Sequence, residues 1–323
     1  MTTIIGIDVS KNDFYACAKE AGASMLFSNN KSGIKRFAKY LNKEKCATKD
    51  TLIGVESTGI YHLPLSYGLT RAGFTVKVIN PLITSKAGQA TVRKVKNDRK
   101  DAELVRHCTA NGAGHEFIDT AATLQLKGLV RQRDSLADLK NIMETKQRNV
   151  EYKEKHLGIK LAPVYAELID KINIKIKKLE KELSVFRPTE QKLLRSIPGV
   201  GPITAVSFIS EINNINRFSN SQKLTAYIGL DSRVYQSGTS IHGKGYISKR
   251  GNKILRTRLY NAASVAVLRP NIFKTFFDKK RSEGKPYKVA LCATMHKMTH
   301  VIHAVWKRET PFEDRIKKEK TAE

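Results

Sequence analysis

The sequence lacks the features that mark membrane, secreted and zinc-binding proteins. No stretch approaches the roughly 20 apolar residues that a membrane-spanning helix needs. No secretory leader opens the sequence, so we expect a cytoplasmic protein without a membrane partner. The four cysteines lie far apart and form no C-x-x-C pair, which argues against a zinc ribbon and a disulfide framework.

Acidic residues are also scarce, with 30 against 58 lysine and arginine residues. The formal net charge of +28 predicts a polyanionic partner, for which nucleic acid is the default. A generally solvated basic surface is the plain alternative. Hydrophobic residues make up 41% of the 323 residues, enough to bury cores, and this length favours two domains over one.

Residues 1–118 alternate short apolar runs with helical patterns. Two helices are predicted here, at 32–41 with Ser32 as the N-cap, and at 62–72. Three early strands followed by alternating helices and strands predict a mixed sheet covered by helices, an α/β domain. The predicted strands cover residues 3–8, 14–18, 24–27, 51–56 and 75–79.

The rest of the chain reads as mainly helical. Apolar residues at spacings of three, four and seven predict two long amphipathic helices over 119–188, paired as a coiled-coil spacer. Residues 189–312 then form a second compact, mainly α domain. A basic tail follows at 313–323.

Four acidic residues of the N-terminal domain fall at the ends of predicted elements. Asp8 and Glu56 end two strands, while Asp98 and Asp101 begin a helix on one of its faces. Acids gathered in this way repel one another unless hard cations neutralise them, and two Mg²⁺ ions are usual in enzymes acting on phosphodiesters. Alternatively, Asp98 and Asp101 only favour the helix N-terminus, and Asp8 only starts a turn.

Two segments of the second domain are candidates for nucleic-acid contact. Residues 196–205 have the form of a helix-hairpin-helix, in which Gly199 and Gly201 let the backbone approach a phosphate, although a plain glycine turn explains them too. From Arg233 to Arg258 there are seven basic residues and no acid, so this segment is expected to face phosphates. The contacts that we predict there are Lys244, Lys249, Arg250, Lys253, Arg256 and Arg258.

Hydroxyl and imidazole groups complete the set of candidates. Ser237, Ser240 and Ser248 lie in the basic segment without an evident neighbouring base, so the residues alone indicate phosphate-binding hydroxyls over nucleophiles. A late helix carries three histidines on one face without the glutamate of an H-E-x-x-H zinc site. We interpret that face as packing or nucleic-acid-facing, and its members are His296, His300 and His303.

Several strings together resemble one family, the DEDD transposases of insertion-sequence family one-hundred-and-ten, also called bridge recombinases. The match runs through nearly the whole chain in the right order; Asn97, where the family more often has threonine, is a small departure. The matching strings are Gly6-Ile7-Asp8-Val9-Ser10-Lys11, Glu56-Ser57-Thr58-Gly59, Asp98-Arg99-Lys100-Asp101-Ala102, Ile197-Pro198-Gly199-Val200-Gly201, Gln236-Ser237-Gly238 and Ile247-Ser248-Lys249-Arg250-Gly251-Asn252.

The resemblance implies a RuvC-like (RNase H-like) domain, a coiled-coil spacer and a C-terminal transposase domain in a prokaryotic protein that acts on the nucleoid. It implies that Asp8, Glu56, Asp98 and Asp101 bind Mg²⁺, and that Ser237 attacks a DNA phosphate. It also implies a structured bridge RNA that pairs with donor and target DNA, so that base pairing selects the sequence.

Oligomer number is left open by the sequence, although a homodimer or homotetramer is expected. Because the acids and the serine lie in different domains, it is also open whether one site is completed between protomers. Two competing functions remain at this stage. One is a RuvC-like nuclease or junction resolvase that uses metal-activated water, and the other is a non-catalytic RNA-binding scaffold.

Overall fold

The computed structural model describes residues 2–18, 24–44, 46, 48–89, 98–233, 236–237, 241–242 and 246–314. Between residues 232 and 246 the description is of the backbone of short strands. The chain divides into two compact units, residues 1–120 and residues 121–323. In the part of the chain described, no helix is long and apolar enough to cross a bilayer.

Unit 1 is built on a six-stranded mixed sheet. The strands lie in the order β3-β2-β1-β4-β5-β6, with β1, β4 and β5 parallel and with β2, β3 and β6 antiparallel to their neighbours. This is the mixed sheet that the sequence predicts. The strands are β1 (Thr3–Val9), β2 (Asp13–Cys17), β3 (Ser24–Ser28), β4 (Thr51–Glu56), β5 (Thr75–Ile79) and β6 (His115–Glu116).

Four α-helices and a short 3₁₀ helix accompany this sheet. Asn30, not Ser32, caps the first helix, because its side-chain oxygen accepts a hydrogen bond from the Gly33 N–H at 2.8 Å. One face of that helix packs on the sheet side, since Ile34, Phe37 and Leu41 are buried. The helices are α1 (Lys31–Lys43), the 3₁₀ turn Thr48–Asp50, α2 (His62–Arg71), α3 (Pro81–Gln89) and α4 (Asp98–Ala110).

Unit 2 is mainly helical, as predicted. Its described elements are α5 (Ala121–Leu157), α6 (Val164–Ser184), α7 (Pro188–Arg195), α8 (Pro202–Ile212), a 3₁₀ turn (Ile215–Arg217), α9 (Ser221–Ile228), α10 (Lys253–Ala266), α11 (Ile272–Ser282) and α12 (Tyr287–Arg308). Between α9 and α10 the described residues form four two-residue strands: β7 (Ser232–Arg233), β8 (Gln236–Ser237), β9 (Ile241–His242) and β10 (Tyr246–Ile247).

The two long helices α5 and α6 pack along one another as an antiparallel pair. Arg133 of α5 bonds to Glu180 of α6 at 2.9 Å, and near the other end Glu154 accepts from the backbone N–H of Leu161 at 2.8 Å. The first turns of α5 belong to the core of unit 2, because Leu126 and Val130 are buried in the same apolar cluster as α8, α10 and α12. The start of the predicted spacer is therefore part of a packed core.

Candidate active site

The first two acids stand at one edge of the sheet in unit 1. Strands β1 and β4 are parallel, and Ile7 lies opposite Val55. The next residues are therefore at the same level, Asp8 one residue before the end of β1 and Glu56 at the end of β4. The backbone N–H of Ser57 donates to the carbonyl of Ile79 at 2.9 Å, which brings the end of β5 to the same edge. The ends of all three parallel strands therefore lie at the edge that carries Asp8.

Two glycines allow α4 to reach this edge. A Cβ at Gly6 of β1 would overlap the backbone of Ala102 and Arg106, and a Cβ at Gly54 of β4 would overlap the side chain of Thr109. Because neither glycine has a Cβ, α4 packs directly on both strands. Each of the two glycines lies two residues before an acid. The first turn of α4, which carries Asp98 and Asp101, thus arrives beside Asp8.

Three carboxylates converge there. Asp8, Asp98 and Asp101 each offer an oxygen within 4.8 Å of the others, and among the described residues this is the group with the spacing of a metal site. Glu56 stands outside that triplet but acts on it electrostatically, since its charge contributes to raising the pKa of Asp8. The same charge adds to the burial that raises the pKa of Cys108 in α4.

The charged form of Asp8 is disfavoured by its burial and by the neighbouring acids. Burial, followed by the charges of Glu56, Asp101 and Asp98, raises the pKa of Asp8 from 3.8 to about 6. Near neutral pH the site is therefore an anionic cluster, partly withdrawn from water, that favours a cation. Every ligand atom that the four acids offer is a carboxylate oxygen, the donor that hard divalent cations prefer.

The segment that carries Ser237 contributes two short antiparallel strand pairs to unit 2, β7 with β10 and β8 with β9, which together are termed the ribbon. Ser232 and Arg233 pair with Ile247 and Tyr246, and farther along Ser237 pairs with Ile241. Ser237 is therefore the last residue of β8, and its partner Ile241 is the first of β9. Ser240 and Lys244 lie outside the described residues, as does the side chain of Ser237.

The base of the ribbon is fastened by hydrogen bonds. The buried hydroxyl of Ser248 donates to a carboxylate oxygen of Asp231 at 2.5 Å, and the Ser248 N–H donates to the Asp231 carbonyl at 2.8 Å. The next residue, Lys249, has a positive φ of 55° and donates its N–H to Gly229. Ser248 thus has a structural partner that explains its place in the sequence.

The predicted basic contacts separate into two groups. Lys249, Arg250 and Lys253 are exposed. Arg256 instead donates to the carbonyl of Ile228 at 2.8 Å, and burial lowers its pKa. Arg258 is also turned inward, forming an ion pair with Asp134 and a hydrogen bond to Ser207. The contacts of Arg256 and Arg258 within unit 2 therefore explain these two residues without a nucleic-acid partner.

A buried carboxylate near the ribbon was not singled out by the sequence. Glu211 accepts hydrogen bonds from Arg131 of α5 at 3.4 Å and from Asn252 at 2.8 Å, and Asn252 also caps α10 through Leu255. Glu211 thereby connects the long helix to the segment that follows the ribbon. The sequence signal that could have identified it is that Glu211 is the one charged residue of α8.

The glycine turn and the histidine face have packing roles. Gly199 adopts a positive φ of 86° and lies so close to Ala262 of α10 that a side chain would overlap it, whereas Gly201 starts α8 with open space beside it. His300 shares a hydrogen bond with Ser221 at 3.0 Å, and the buried His303 ring contacts the carbonyl of Phe218 at 3.3 Å. Of the two glycines, Gly201 has room for a phosphate.

Comparison with known families defines the class. A family model described as the transposase IS116/IS110/IS902 family matches residues 191–278, and the transposase model of the DEDD IS110 type matches residues 5–150. The two models follow the order of the two units. The chain belongs to this family of transposases, and it is a DNA-cutting and rejoining enzyme. The RuvC-like (RNase H-like) fold predicted for unit 1 is confirmed with it.

Among curated proteins the chain is similar to the pilin gene-inverting protein of Moraxella bovis, at 26% identity over 97% of this chain and 98% of the relative. It is also similar to the transposase for insertion sequence element IS1111A of Coxiella burnetii, at 28% identity over 86% and 80%. Among solved structures, RuvC of T. thermophilus in complex with a Holliday junction substrate matches 36% of this chain and 100% of its own, with 11% identity and a TM-score of 0.27. That score is too low to add to the assignment.

Proposed function

We propose that this chain cuts and rejoins the DNA of an insertion sequence at a Mg²⁺ site held by Asp8, Glu56, Asp98 and Asp101, with Ser237 as the attacking hydroxyl. The observation that carries the proposal is the convergence of three carboxylates within 4.8 Å at a sheet edge, where burial, followed by the charges of the neighbouring acids, raises the pKa of Asp8 to about 6. Such an anionic cluster is costly unless a cation neutralises it.

The all-oxygen donor set of the four acids fits Mg²⁺. When bound there, the metal supplies polarisation of the scissile phosphate and stabilises charge on the leaving oxygen. Asp8 and Glu56 would be held in place by the sheet, and Asp98 and Asp101 by the first turn of α4. Because these elements are packed over buried strands, the carboxylates need little rearrangement to act together.

The Ser237 hydroxyl replaces water as the nucleophile. Its Oγ forms a bond to phosphorus while the bond from phosphorus to the neighbouring nucleotide breaks, and the departing oxygen takes a proton to become a free DNA hydroxyl. The proton of the serine hydroxyl is released to solvent. Rejoining reverses the step with a different DNA hydroxyl, so the phosphoserine bond preserves the energy of the phosphodiester and no ATP is required.

Sequence choice is proposed to come from a structured bridge RNA that pairs with donor and target DNA. The net charge of +28 supports a protein that binds two kinds of nucleic acid through their backbones. The exposed Lys249, Arg250 and Lys253, beside the ribbon, are the proposed backbone contacts. We further propose that residues 119–188 act as a spacer between the two catalytic parts of a homo-oligomer.

A second outcome for the same chemistry is inversion of a DNA segment. It is favoured by the near full-length similarity to proteins named for inverting a pilin gene. Inversion and transposition share cutting and rejoining and differ in which DNA ends are joined, so sequencing the joined products separates them.

Trapping a covalent intermediate tests the proposed mechanism. Stopping the reaction with denaturant should leave DNA attached to the wild-type protein, and Ser237→Ala should lose both the adduct and strand cutting by about 1,000-fold or more while still binding DNA. Ser240→Ala is the matched control and should retain the adduct. Normal cutting by Ser237→Ala would contradict the serine mechanism and favour metal-activated water as the nucleophile.

A further inference from the structure

The exposed apolar side chains of unit 1 are not scattered. Within the described part of residues 1–120, the large apolar residues that stand out into solvent number five, and four of them follow β4 or β5 at the edge that bears the acids. Isolated exposed apolar residues are ordinary, but a group at one edge marks a binding surface. The four are Ile60, Tyr61, Leu82 and Ile83, with Ile60 exposed to 65% and Leu82 to 53%.

The loop that carries Ile60 and Tyr61 is fastened to the acidic site. The N–H of Tyr61 donates to the Thr58 carbonyl at 3.1 Å. The side-chain amide of Asn29 donates to the carbonyls of Tyr61, at 3.0 Å, and of Ser10, at 2.9 Å. Since Ser10 follows Asp8 by two residues, one amide connects the turn after Asp8 to the loop after Glu56.

The start of α3 is fixed in the same way. The side-chain oxygen of Asn80 accepts from the Leu82 N–H at 2.9 Å, and the Asn80 carbonyl accepts from the Ile83 N–H at 2.8 Å. The backbone of both loops is therefore held by hydrogen bonds, while their apolar side chains remain exposed. Exposed apolar side chains on a backbone held in this way can pack against a partner that has a flat apolar face.

We propose that Ile60 and Tyr61, together with Leu82 and Ile83, form a base-contacting subsite that receives an unstacked nucleobase of the DNA strand next to the phosphate cut at the acidic site. This rests on the proposed function of the four acids. When a DNA phosphate lies at Asp8, the bases on either side of it are no more than one nucleotide away from that site. The faces of these bases are the apolar part of DNA. Apolar side chains that insert at an opened base step keep the unstacked base apart from the adjacent bases, which leaves the phosphate accessible.

Fluorescence of 2-aminopurine tests the subsite, because this base brightens when it is unstacked. The probe is a duplex of the element's own terminal sequence with 2-aminopurine beside the cut phosphate, bound by Ser237→Ala protein so that no strand is lost. Binding should raise the fluorescence. Adding Ile60→Ser or Tyr61→Ser should return the signal towards that of free duplex and weaken DNA binding by about fivefold or more.

A matched control is Leu26→Ser, which removes an equally exposed apolar side chain from β3, the outer strand at the other end of the sheet. It should leave both fluorescence and binding unchanged. The subsite is overturned if Ile60→Ser and Tyr61→Ser leave the fluorescence rise intact, or if they alter only the oligomeric mass, which would assign the patch to a protein contact. The proposed role of the acidic site is tested separately. It would be contradicted if Asp101→Asn protein, with Ser237 intact, still cuts DNA.

Discussion

Replacing Asp8 with asparagine should make the metal-free protein more stable at neutral pH. The folded chain raises the pKa of Asp8 from 3.8 to about 6, chiefly by burial and then by the charges of Glu56, Asp101 and Asp98. At full weight this shift corresponds to roughly 3 kcal/mol. Because Asp8 is only half-buried, solvent screening reduces the expected gain for Asp8→Asn to about 1–2 kcal/mol at pH 7.5.

The dependence on pH follows from which state holds the proton. Between pH 4 and 6 the folded protein retains the Asp8 proton that the unfolded chain has already released. Unfolding therefore releases a proton, and the free energy of unfolding of wild type should fall as the pH rises through this window, then level off above the folded pKa. The Asp8→Asn variant should lack this component, so the two curves should meet near pH 4 and separate by pH 7.

Urea unfolding in a metal chelator, followed by far-ultraviolet circular dichroism at several pH values, measures this difference. The single tryptophan, Trp306, lies in unit 2, so its fluorescence should report an unchanged transition there. Asp50→Asn, at the other end of β4, is the matched control because Asp50 is exposed and far along the strand from the site. Adding Mg²⁺ should stabilise wild type and leave Asp8→Asn largely unaffected. Equal or lower stability of Asp8→Asn at pH 7.5 without metal would refute the argument that burial and the neighbouring charges make the ionised Asp8 unfavourable.

Three other perturbations test the supports of the site. Gly54→Ala should destabilise unit 1 by about 1–3 kcal/mol, because the added methyl group overlaps Thr109 and pushes α4 away from β4. The same displacement should weaken Mg²⁺ binding, and titration calorimetry with Mg²⁺ would measure the loss of affinity. Glu211→Ala should lower the free energy of unfolding of unit 2 by about 1–3 kcal/mol, because the buried carboxylate that accepts from Arg131 and Asn252 is lost. Trp306 fluorescence in urea measures this, and an unchanged midpoint would contradict it. The last variant combines alanine substitutions of the three exposed basic residues after the ribbon, which are Lys249, Arg250 and Lys253. It should weaken binding to all DNA sequences alike and flatten the dependence of affinity on salt, measured by fluorescence anisotropy, and an unchanged slope would count against those contacts.

Local patterns were sufficient for much of the fold. Alternating apolar runs placed the five main strands of unit 1, because a strand buried on a sheet must present apolar side chains at regular positions. The helix from Asp98 to Ala110 was likewise predicted from its acidic start. The N-cap of α1 was misplaced at Ser32, because Asn30 and Ser32 both suit a cap and only the backbone at Asn30 is extended.

For the candidate site, the sequence determined which acids are available, since Asp8 and Glu56 end strands and Asp98 and Asp101 share a helical face. The tertiary structure decided how close they come, through the two glycines that let α4 lie on β1 and β4. The close approach depends on strand order and register, which join residues nearly a hundred positions apart.

The same division explains what the sequence could not supply elsewhere. The inward turn of Arg256 and Arg258, the burial of Glu211 and the bridge that Asn29 makes between two loops are all contacts between distant segments. A basic or polar residue has the same local pattern whether it meets DNA or a neighbouring helix. Its partner is decided by packing, because desolvation makes a buried charge or amide select the nearest internal group.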